Sequence, residues 1–347
     1  MTETSQNHEP LVSICIPVFN GGKTIRKTIN SVINQTYTNL EIIIVDNCST
    51  DSTVEIVQEF KDPRIRLILN DIHYPCAEYN WNRCFQYVHG DFMAIFHADD
   101  VYLPQMVSRQ VETFKKFPYV GGVFVQGNII NENDEIIGGL LIPFPVKGMH
   151  PYSYEKLILL VLQQGDFLIC SSAMLRTDIY KKIAPFRFEQ FGSASDFDMW
   201  LRTAEIAPVI ILNEKLINYR VSKSQGTYII NCVRTEESDF FKVLDFHIGK
   251  HKKTILFPKE VTNIYELSRF EDRLICARNY LRKNDLKNFK LQMHNIPWLN
   301  FFKITIKSLK FIRLKYLKSI SGLGSSILTE YLRKTLCKTS SSEKNLD

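Results

Sequence analysis

One stretch decides how this chain folds: Phe92-Met93-Ala94-Ile95-Phe96-His97-Ala98-Asp99-Asp100. Its apolar first half predicts a buried strand, and two adjacent carboxylates follow where the strand ends. Because neighbouring carboxylates repel each other, a divalent cation is a natural partner, and oxygen ligands favour Mg²⁺ or Mn²⁺. The alternative is an acidic pair that caps the segment after it, and this stretch alone leaves both interpretations open.

The sequence before this stretch alternates between two kinds of pattern. Apolar, β-branched runs predict strands, and apolar residues at helical spacing predict helices between them. This alternation is typical of βαβ units and indicates an α/β fold with a mostly parallel sheet. The predicted strands lie at 11–19, 40–45, 65–69 and 91–96, and the predicted helices lie at 25–33, 54–60 and 77–88.

Polar residues follow three of these predicted strands. Asn20, Asp46 and Asp99 each come at or just beyond a carboxyl end. Ligands of open α/β sheets bind beyond the carboxyl ends of the strands, so we expect these side chains to share one edge and one site.

A different pattern covers residues 120–220, where loops rich in glycine and proline separate the elements. We predict a helix at Glu155–Gln163 and strands at Phe167–Cys170 and Val209–Leu212. These elements would complete the sheet and form a second wall of the site.

Composition limits the class of protein. The chain has 347 residues, 45% apolar and 23% charged, which predicts a soluble globular protein with one large domain and a smaller one. A net charge of +6 is too weak to indicate nucleic-acid binding, and we expect none. The eight cysteines form no CxxC pair, which favours a reducing, cytoplasmic compartment over zinc or disulfides. Residues 1–10 are polar and are expected to be a disordered tail, and no apolar run of about 18 residues predicts a membrane span.

The C-terminal third is basic. Between Leu286 and Thr329 the chain has no acidic residue and carries eight lysines and arginines, with aromatic residues between them. Segment 296–320 is therefore predicted to be an amphipathic helix on an anionic membrane surface. The alternative is a helix that packs on the main domain with its lysines in water.

Several motifs occur together in the first two thirds of the chain. They are Val12–Asn20, Ser31–Tyr37, Glu41–Asp51, Asn80–Asn82, Gly90–Phe92 with Asp99-Asp100, and Ser195–Arg202. Their order and spacing resemble those of family 2 glycosyltransferases of the GT-A fold, and the resemblance covers residues 11–222. It implies a GT-A nucleotide-diphospho-sugar transferase domain at 11–230, a helical extension at 231–336 and a tail at 337–347.

This resemblance assigns roles to the N-terminal motifs. The nucleotide is expected to contact Pro17, Val18, Phe19 and Asn20, in the loop after the first strand. Asp46 matches the acid that accepts a hydrogen bond from the base, which fits the imide N–H of uracil; the alternative is a turn aspartate.

The resemblance also assigns roles to three aspartates, Asp99, Asp100 and Asp196. Asp99 and Asp100 match the motif that holds Mg²⁺ or Mn²⁺ against the diphosphate, with one acid on the metal and its neighbour on the ribose or donor sugar. Which of the two is the direct ligand stays open. Asp196 matches the catalytic base of inverting members, and the alternative is a helix cap. The family usually has glutamate before this base, where this chain has Ser195.

The implied function is an inverting, metal-dependent transfer of a sugar from a nucleotide-sugar, and the expected donor is a UDP-sugar. The acceptor would be a hydroxyl of a glycan or lipid-linked glycan at the inner face of the cell membrane, as in bacterial surface-polysaccharide assembly. One alternative is an inactive nucleotide-binding scaffold of the same fold. A second is a nucleotidyltransferase, against which the lack of a glycine-rich P-loop argues. The donor sugar, the acceptor and the oligomeric state stay open.

Overall fold

The computed structural model describes residues 9–140, 149–222, 233–294 and 327. The chain divides between Ser222 and Lys223 into two compact units. The predicted boundary at residue 230 falls in a segment outside the described residues, and so do residues 1–8 of the predicted N-terminal tail, the tail at 337–347 and the basic segment 296–320.

Nine strands of the described residues form one sheet in the first unit, in the order β3-β2-β1-β4-β8-β6-β9-β5 with β7 beside β6. The strands are β1 (Val12–Val18), β2 (Leu40–Asp46), β3 (Ile65–Leu69), β4 (Phe92–Ile95), β5 (Val101–Tyr102), β6 (Gly122–Ile130), β7 (Ile136–Leu140), β8 (Met174–Arg176) and β9 (Val209–Arg220).

Helices flank this sheet and also build the described part of the second unit. The first unit contains α1 (Ile25–Ile33), α2 (Thr53–Glu59), α3 (Ala77–Cys84), α4 (Met106–Lys116), α5 (Tyr154–Gln164), α6 (Thr177–Ile183), α7 (Phe188–Phe191) and α8 (Ser195–Ile206). The second contains α9 (Asp239–His251), α10 (Lys259–Arg282) and α11 (Leu286–His294).

The predicted parallel sheet is confirmed in its N-terminal half. Strands β3, β2, β1 and β4 all run parallel, and β1, β2 and β4 are almost completely buried. Helices cover both faces of such a sheet, so its strands read as continuous apolar runs rather than as alternating patterns. Helix α1 packs Ile25, Ile29 and Val32 into the same core.

The strand predicted at Phe167–Cys170 is wrong. The chain forms a short 3₁₀ turn at Cys170–Ser172 instead, and the strand that pairs with β4 is β8. Ser172 explains the difference, because its backbone N–H and its hydroxyl both donate to the carbonyl of Ile169, at 3.0 and 2.8 Å. These local hydrogen bonds compete with a strand ladder.

The described part of the second unit is helical, as predicted. Arg234 pairs with Asp272 on α10, and Asn279 of the same helix donates to the Arg234 carbonyl at 2.8 Å. Among the residues that the structure describes, no helix combines the length and hydropathy needed to cross a membrane.

Candidate active site

The loops that follow β1 and β2 are tied to each other. The N–H of Asn47 donates to the Val18 carbonyl, the N–H of Asn20 to the Ser49 hydroxyl, and the N–H of Thr50 to Asn20 Oδ1, each at 2.8 Å. Asn20 has a positive φ of 50°, a conformation that asparagine tolerates better than most residues. The predicted nucleotide loop is therefore held in one shape by its neighbour.

Asp46 ends β2 with a buried side chain that is 2% exposed. Its Oδ2 accepts the N–H of Ser49 at 2.8 Å. Its Oδ1 is buried and has no hydrogen-bond partner within the described residues. A buried carboxylate oxygen without a donor is costly, so a ligand that brings an N–H group to this atom gains binding energy.

Phe19 presents an aromatic surface beside the loop that follows Asp46. Its side chain is 49% exposed, and its ring centroid lies 4.5 Å from that of His73. His73 Nδ1 is 3.0 Å from the Asn47 carbonyl, so this ring is fixed to the same loop. By contrast, Val18 packs its side chain into the core, and Pro17 is paired beside Val45 within the sheet.

Asp99 and Asp100 follow β4 in different environments. Asp100 is fully buried: its Oδ2 accepts the Ser171 hydroxyl at 2.6 Å and its Oδ1 the Arg220 N–H at 2.8 Å. Asp99 is partly exposed, and its carbonyl accepts the Nε–H of Arg220 at 2.7 Å. Arg220 and Ser171 thus fix the backbone and one carboxylate of the acidic pair.

The two carboxylates of this pair lie in an electrostatically unfavourable environment. Burial, and then the charge of Asp99, raise the pKa of Asp100 to about 8, against hydrogen bonds from Ser171 and Arg220 that lower it. His97 Nδ1 lies 3.9 Å from Asp100 Oδ2, and burial lowers the pKa of the imidazole, so the ring is neutral at pH 7. His97 also stacks on Trp81, with ring centroids 5.8 Å apart.

These three residues fit a divalent cation. Ligand atoms of His97, Asp99 and Asp100 all lie within 4.8 Å of one another. Two carboxylates and a neutral imidazole are donors that metal ions accept in proteins, and a cation beside them would relieve the repulsion that raises the Asp100 pKa.

Asp196 lies in the first turn of α8 and is partly exposed. Its Oδ1 accepts the Phe197 N–H at 2.7 Å, and the Cys170 thiol is near enough to lower the pKa of its carboxylate. Burial outweighs these effects and raises the pKa of Asp196 to about 6. A carboxylate with a pKa near the working pH is suited to general base catalysis.

Asp198, two residues further along α8, has a structural role. It is fully buried, and Arg187 and Arg202 both donate to its carboxylate. The Arg187 Nε–H and the Arg202 Nε–H lie 2.9 and 2.8 Å from Asp198 Oδ2.

A single turn joins the acidic pair to Asp196. Cys170 interacts electrostatically with Asp196, and the hydroxyl of the next residue, Ser171, donates to Asp100. On the other side, the Thr24 hydroxyl at the start of α1 donates to the Ala98 carbonyl at 2.9 Å. The start of α1, the acidic pair and Asp196 are therefore neighbours in the structure. Sequence patterns missed Ser171, Arg220 and His73, which lie in turns or at a strand end.

Fold and site together define a nucleotide-sugar-dependent glycosyltransferase. The sequence pattern described as glycosyl transferase family 2 matches residues 13–184. The chain is 30% identical over 218 residues to the UDP-Glc:alpha-D-GlcNAc-diphosphoundecaprenol beta-1,3-glucosyltransferase WfgD of Escherichia coli, across 62% of this chain and 78% of that protein. It therefore belongs to glycosyltransferase family 2. It is also 26% identical to the putative glycosyltransferase EpsE of Bacillus subtilis, across 57% and 68% of the two chains.

Solved structures agree on the fold. TarS of S. aureus (residues 1–349), in complex with UDP, superposes with a TM-score of 0.52 at 14% identity, over 81% of this chain and 90% of that one. The mannosyltransferase PcManGT of Pyrobaculum calidifontis, with GDP-Man and Mn²⁺, gives a TM-score of 0.54 at 12% identity, over 94% and 87%. The GT-A fold expected from the sequence is thereby confirmed.

Proposed function

We propose that this protein is an inverting, metal-dependent glycosyltransferase that moves a sugar from a UDP-sugar to a hydroxyl of a lipid-linked glycan. The observation that carries the proposal is the turn at Cys170–Ser172, which ties the cation-binding acids and Asp196 to two consecutive residues. Donor phosphates and acceptor hydroxyl must meet within one site, and this turn provides that proximity.

The residues divide the chemistry between them. Asp99, supported by Asp100 and with His97 beside it, would hold Mg²⁺ or Mn²⁺, and the cation would neutralise the charge on the leaving diphosphate. Asp196 takes the proton of the acceptor hydroxyl as its oxygen bonds to the anomeric carbon. The bond from that carbon to the diphosphate breaks, and UDP leaves with the electron pair. Attack from the face opposite UDP inverts the anomeric centre.

Two observations support a uracil donor and a lipid-linked acceptor. The free Oδ1 of Asp46 can accept the imide N–H of uracil, and the exposed Phe19 ring offers a surface for the base. WfgD acts on UDP-Glc and a GlcNAc-diphosphoundecaprenol, so we take UDP-Glc and a GlcNAc-diphospholipid as first substrates. Peripheral contact of the basic segment with the inner membrane face would bring the enzyme to such a lipid.

A second candidate function is a nucleotide-binding scaffold without turnover. It is favoured by Ser195, which stands where the family usually has glutamate and whose buried hydroxyl has no hydrogen-bond partner within the described residues. Binding of UDP without transfer to any acceptor would support this candidate.

Nucleotide preference tests the donor assignment. We expect UDP to bind at least tenfold more tightly than GDP in Mn²⁺, and to lose most of its affinity in EDTA. A hydrogen bond to a charged group contributes about 1.5–3 kcal/mol, so Asp46→Ala should weaken UDP binding about 10- to 100-fold. Calorimetric titration measures these affinities.

The matched control is Asp62→Ala, which removes a carboxylate that pairs with Arg64 before β3. Its UDP affinity should stay within twofold of the wild type. Equal affinity for UDP and GDP would contradict the uracil assignment, and equal UDP affinity with and without Mn²⁺ would contradict the metal site.

The pH dependence tests Asp196 as the base. Its pKa is raised to about 6, and the base works only when deprotonated, so protonation of this base should lower kcat/KM about tenfold per unit below this pH. Initial rates between pH 4.5 and 8 measure the profile, and thermal unfolding at each pH identifies any loss that comes from denaturation. A profile that stays flat down to pH 4.5 would exclude a base of this pKa.

A further inference from the structure

The turn between β6 and β7 carries a carboxylate that the reaction described above does not use. Asn131 shapes this turn, because its Oδ1 accepts the N–H groups of Asn133 and Glu135, at 2.9 and 3.0 Å. Asp134 has a positive φ of 66°, a conformation that aspartate tolerates better than most residues. The turn therefore presents the Asp134 carboxylate from a backbone that local hydrogen bonds define.

Arg220, the last residue of β9, contacts both this turn and the acidic pair. Its side chain is 4% exposed, and each of its three guanidinium nitrogens donates to a different residue. The Nε–H donates to the Asp99 carbonyl at 2.7 Å, and the two terminal nitrogens donate to the Asn131 carbonyl at 2.8 Å and to Asp134 Oδ1 at 2.5 Å. Its backbone N–H donates to Asp100 Oδ1 at 2.8 Å. One residue thus joins the turn to both acids.

Asp134 supplies the counter-charge for this guanidinium. A buried charge is costly unless an opposite charge and hydrogen bonds compensate for it. Within the part of the chain that the structure describes, the ion pair with Asp134 is the only one that the Arg220 side chain forms. Hydrogen bonds from the exposed Lys27 of α1 and from Arg220 outweigh burial and lower the pKa of Asp134, so this carboxylate is ionised at pH 7.

The direction of the Asp99 side chain depends on these contacts. Among the described residues, none donates a hydrogen bond to the Asp99 carboxylate, so the backbone of Asp99 sets where this carboxylate points. Arg220 holds the carbonyl of that same residue. Groups that orient a metal ligand are part of a metal site, and their replacement costs about 10- to 100-fold in metal affinity.

We propose that Asp134 is a positioning residue for the cation site: it holds the Arg220 guanidinium, which in turn fixes the backbone of Asp99 for binding of Mg²⁺ or Mn²⁺. Asp134 acts through Arg220 and not by contact with the cation. The inference rests on the proposed metal dependence, and it adds the β6–β7 turn to the structure that supports the cation site.

Asp134→Gly tests this role, because glycine adopts a positive φ without strain and removes the carboxylate. We expect the Kd for Mn²⁺ to rise about tenfold, and half-maximal transfer to need correspondingly more Mn²⁺. The probe is Mn²⁺ itself, with and without UDP, followed through the EPR signal of the free ion against a protein-free control. Asp134→Asn keeps an oxygen that can accept from Arg220 and should recover most of the lost affinity.

Lys27→Met is the matched control, since it breaks the other ion pair of Asp134 and leaves Arg220 in place. Its affinity for Mn²⁺ should stay within about twofold of the wild type. Arg220→Met removes the guanidinium and should weaken Mn²⁺ binding about 10- to 100-fold. Adding Asp134→Gly to Arg220→Met should then cost less than a further twofold, because the two residues act through one contact. Thermal unfolding shows which variants are folded at the temperature of the titration.

The outcomes separate this inference from the proposed function. Wild-type protein that binds Mn²⁺, together with an Asp134→Gly variant of equal affinity, overturns the role of Asp134 alone. An equal loss in Lys27→Met also overturns it, and so does a further tenfold loss when Asp134→Gly is added to Arg220→Met. If Arg220→Met does not fold, the comparison of Asp134→Gly with Lys27→Met decides the inference. Wild-type protein that binds no Mn²⁺, alone or with UDP, contradicts the proposed metal dependence and the inference with it.

Discussion

Asp196→Asn is expected to lower kcat about 10²- to 10⁴-fold, because an amide cannot take the proton of the acceptor hydroxyl. The substitution keeps the size of the side chain and an oxygen that can accept the Phe197 N–H. UDP affinity in Mn²⁺ should stay within twofold of the wild type, because the nucleotide loop and acidic pair are unaltered. Product formation from UDP-Glc gives kcat, and calorimetric titration gives the affinity.

Two results would contradict this role for Asp196. A folded Asp196→Asn enzyme with more than a tenth of the wild-type kcat would remove this carboxylate from the chemical step. A variant that loses UDP affinity in parallel with kcat would instead place the carboxylate on the donor side. Glu59→Gln, at an exposed acid at the end of α2, controls for the loss of one negative charge.

The sequence predicts the nucleotide half of the molecule because local patterns determine it. Strands β1, β2 and β4 are buried between layers of helices, so they read as apolar runs, and helix α1 repeats its core residues at the helical period. Polar residues at the ends of such strands then point to a site. Asp46 and Asp99 lie at the carboxyl ends of β2 and β4, as expected.

The second half of the site depends on contacts that no local pattern records. Ser171 reaches Asp100 across 71 residues, and Arg220 reaches it across 120. The apolar run before Ser171 has the pattern of a strand. The serines that follow it nevertheless lie in a turn, and Ser171 donates a hydrogen bond to Asp100, which follows β4.

Asp99 and Asp100 differ in burial, and the sequence alone does not show this difference. Both oxygens of Asp100 accept hydrogen bonds from the protein, whereas Asp99 is partly exposed. We therefore propose Asp99 as the carboxylate that meets a cation directly, with Asp100 as its buried support. The positions that sequence patterns could not resolve are those where long-range hydrogen bonds decide the role of a side chain.

The largest stability effect is expected for Asp198→Ala, which should lower the free energy of unfolding by about 3–5 kcal/mol. Removal of one partner from a buried ion pair leaves an uncompensated charge, and here Arg187 and Arg202 both lose theirs. For a domain of this size, the loss corresponds to a melting temperature roughly 6–20 °C lower. Glu59→Ala breaks an exposed pair with Arg26 and should cost less than about 1 kcal/mol.

The spacing of Asp196 and Asp198 explains why one helix turn serves both chemistry and stability. Successive residues of a helix are rotated by about 100°, so residues two apart face nearly opposite sides. Asp198 faces the interior, where two arginines anchor α8, and Asp196 faces the site. Asp198→Ala should therefore also lower kcat, whereas Asp196→Asn should leave the melting temperature within about 2 °C. Calorimetric unfolding of both variants measures this, and a stable Asp198→Ala protein would show that the ion pairs do not anchor the helix.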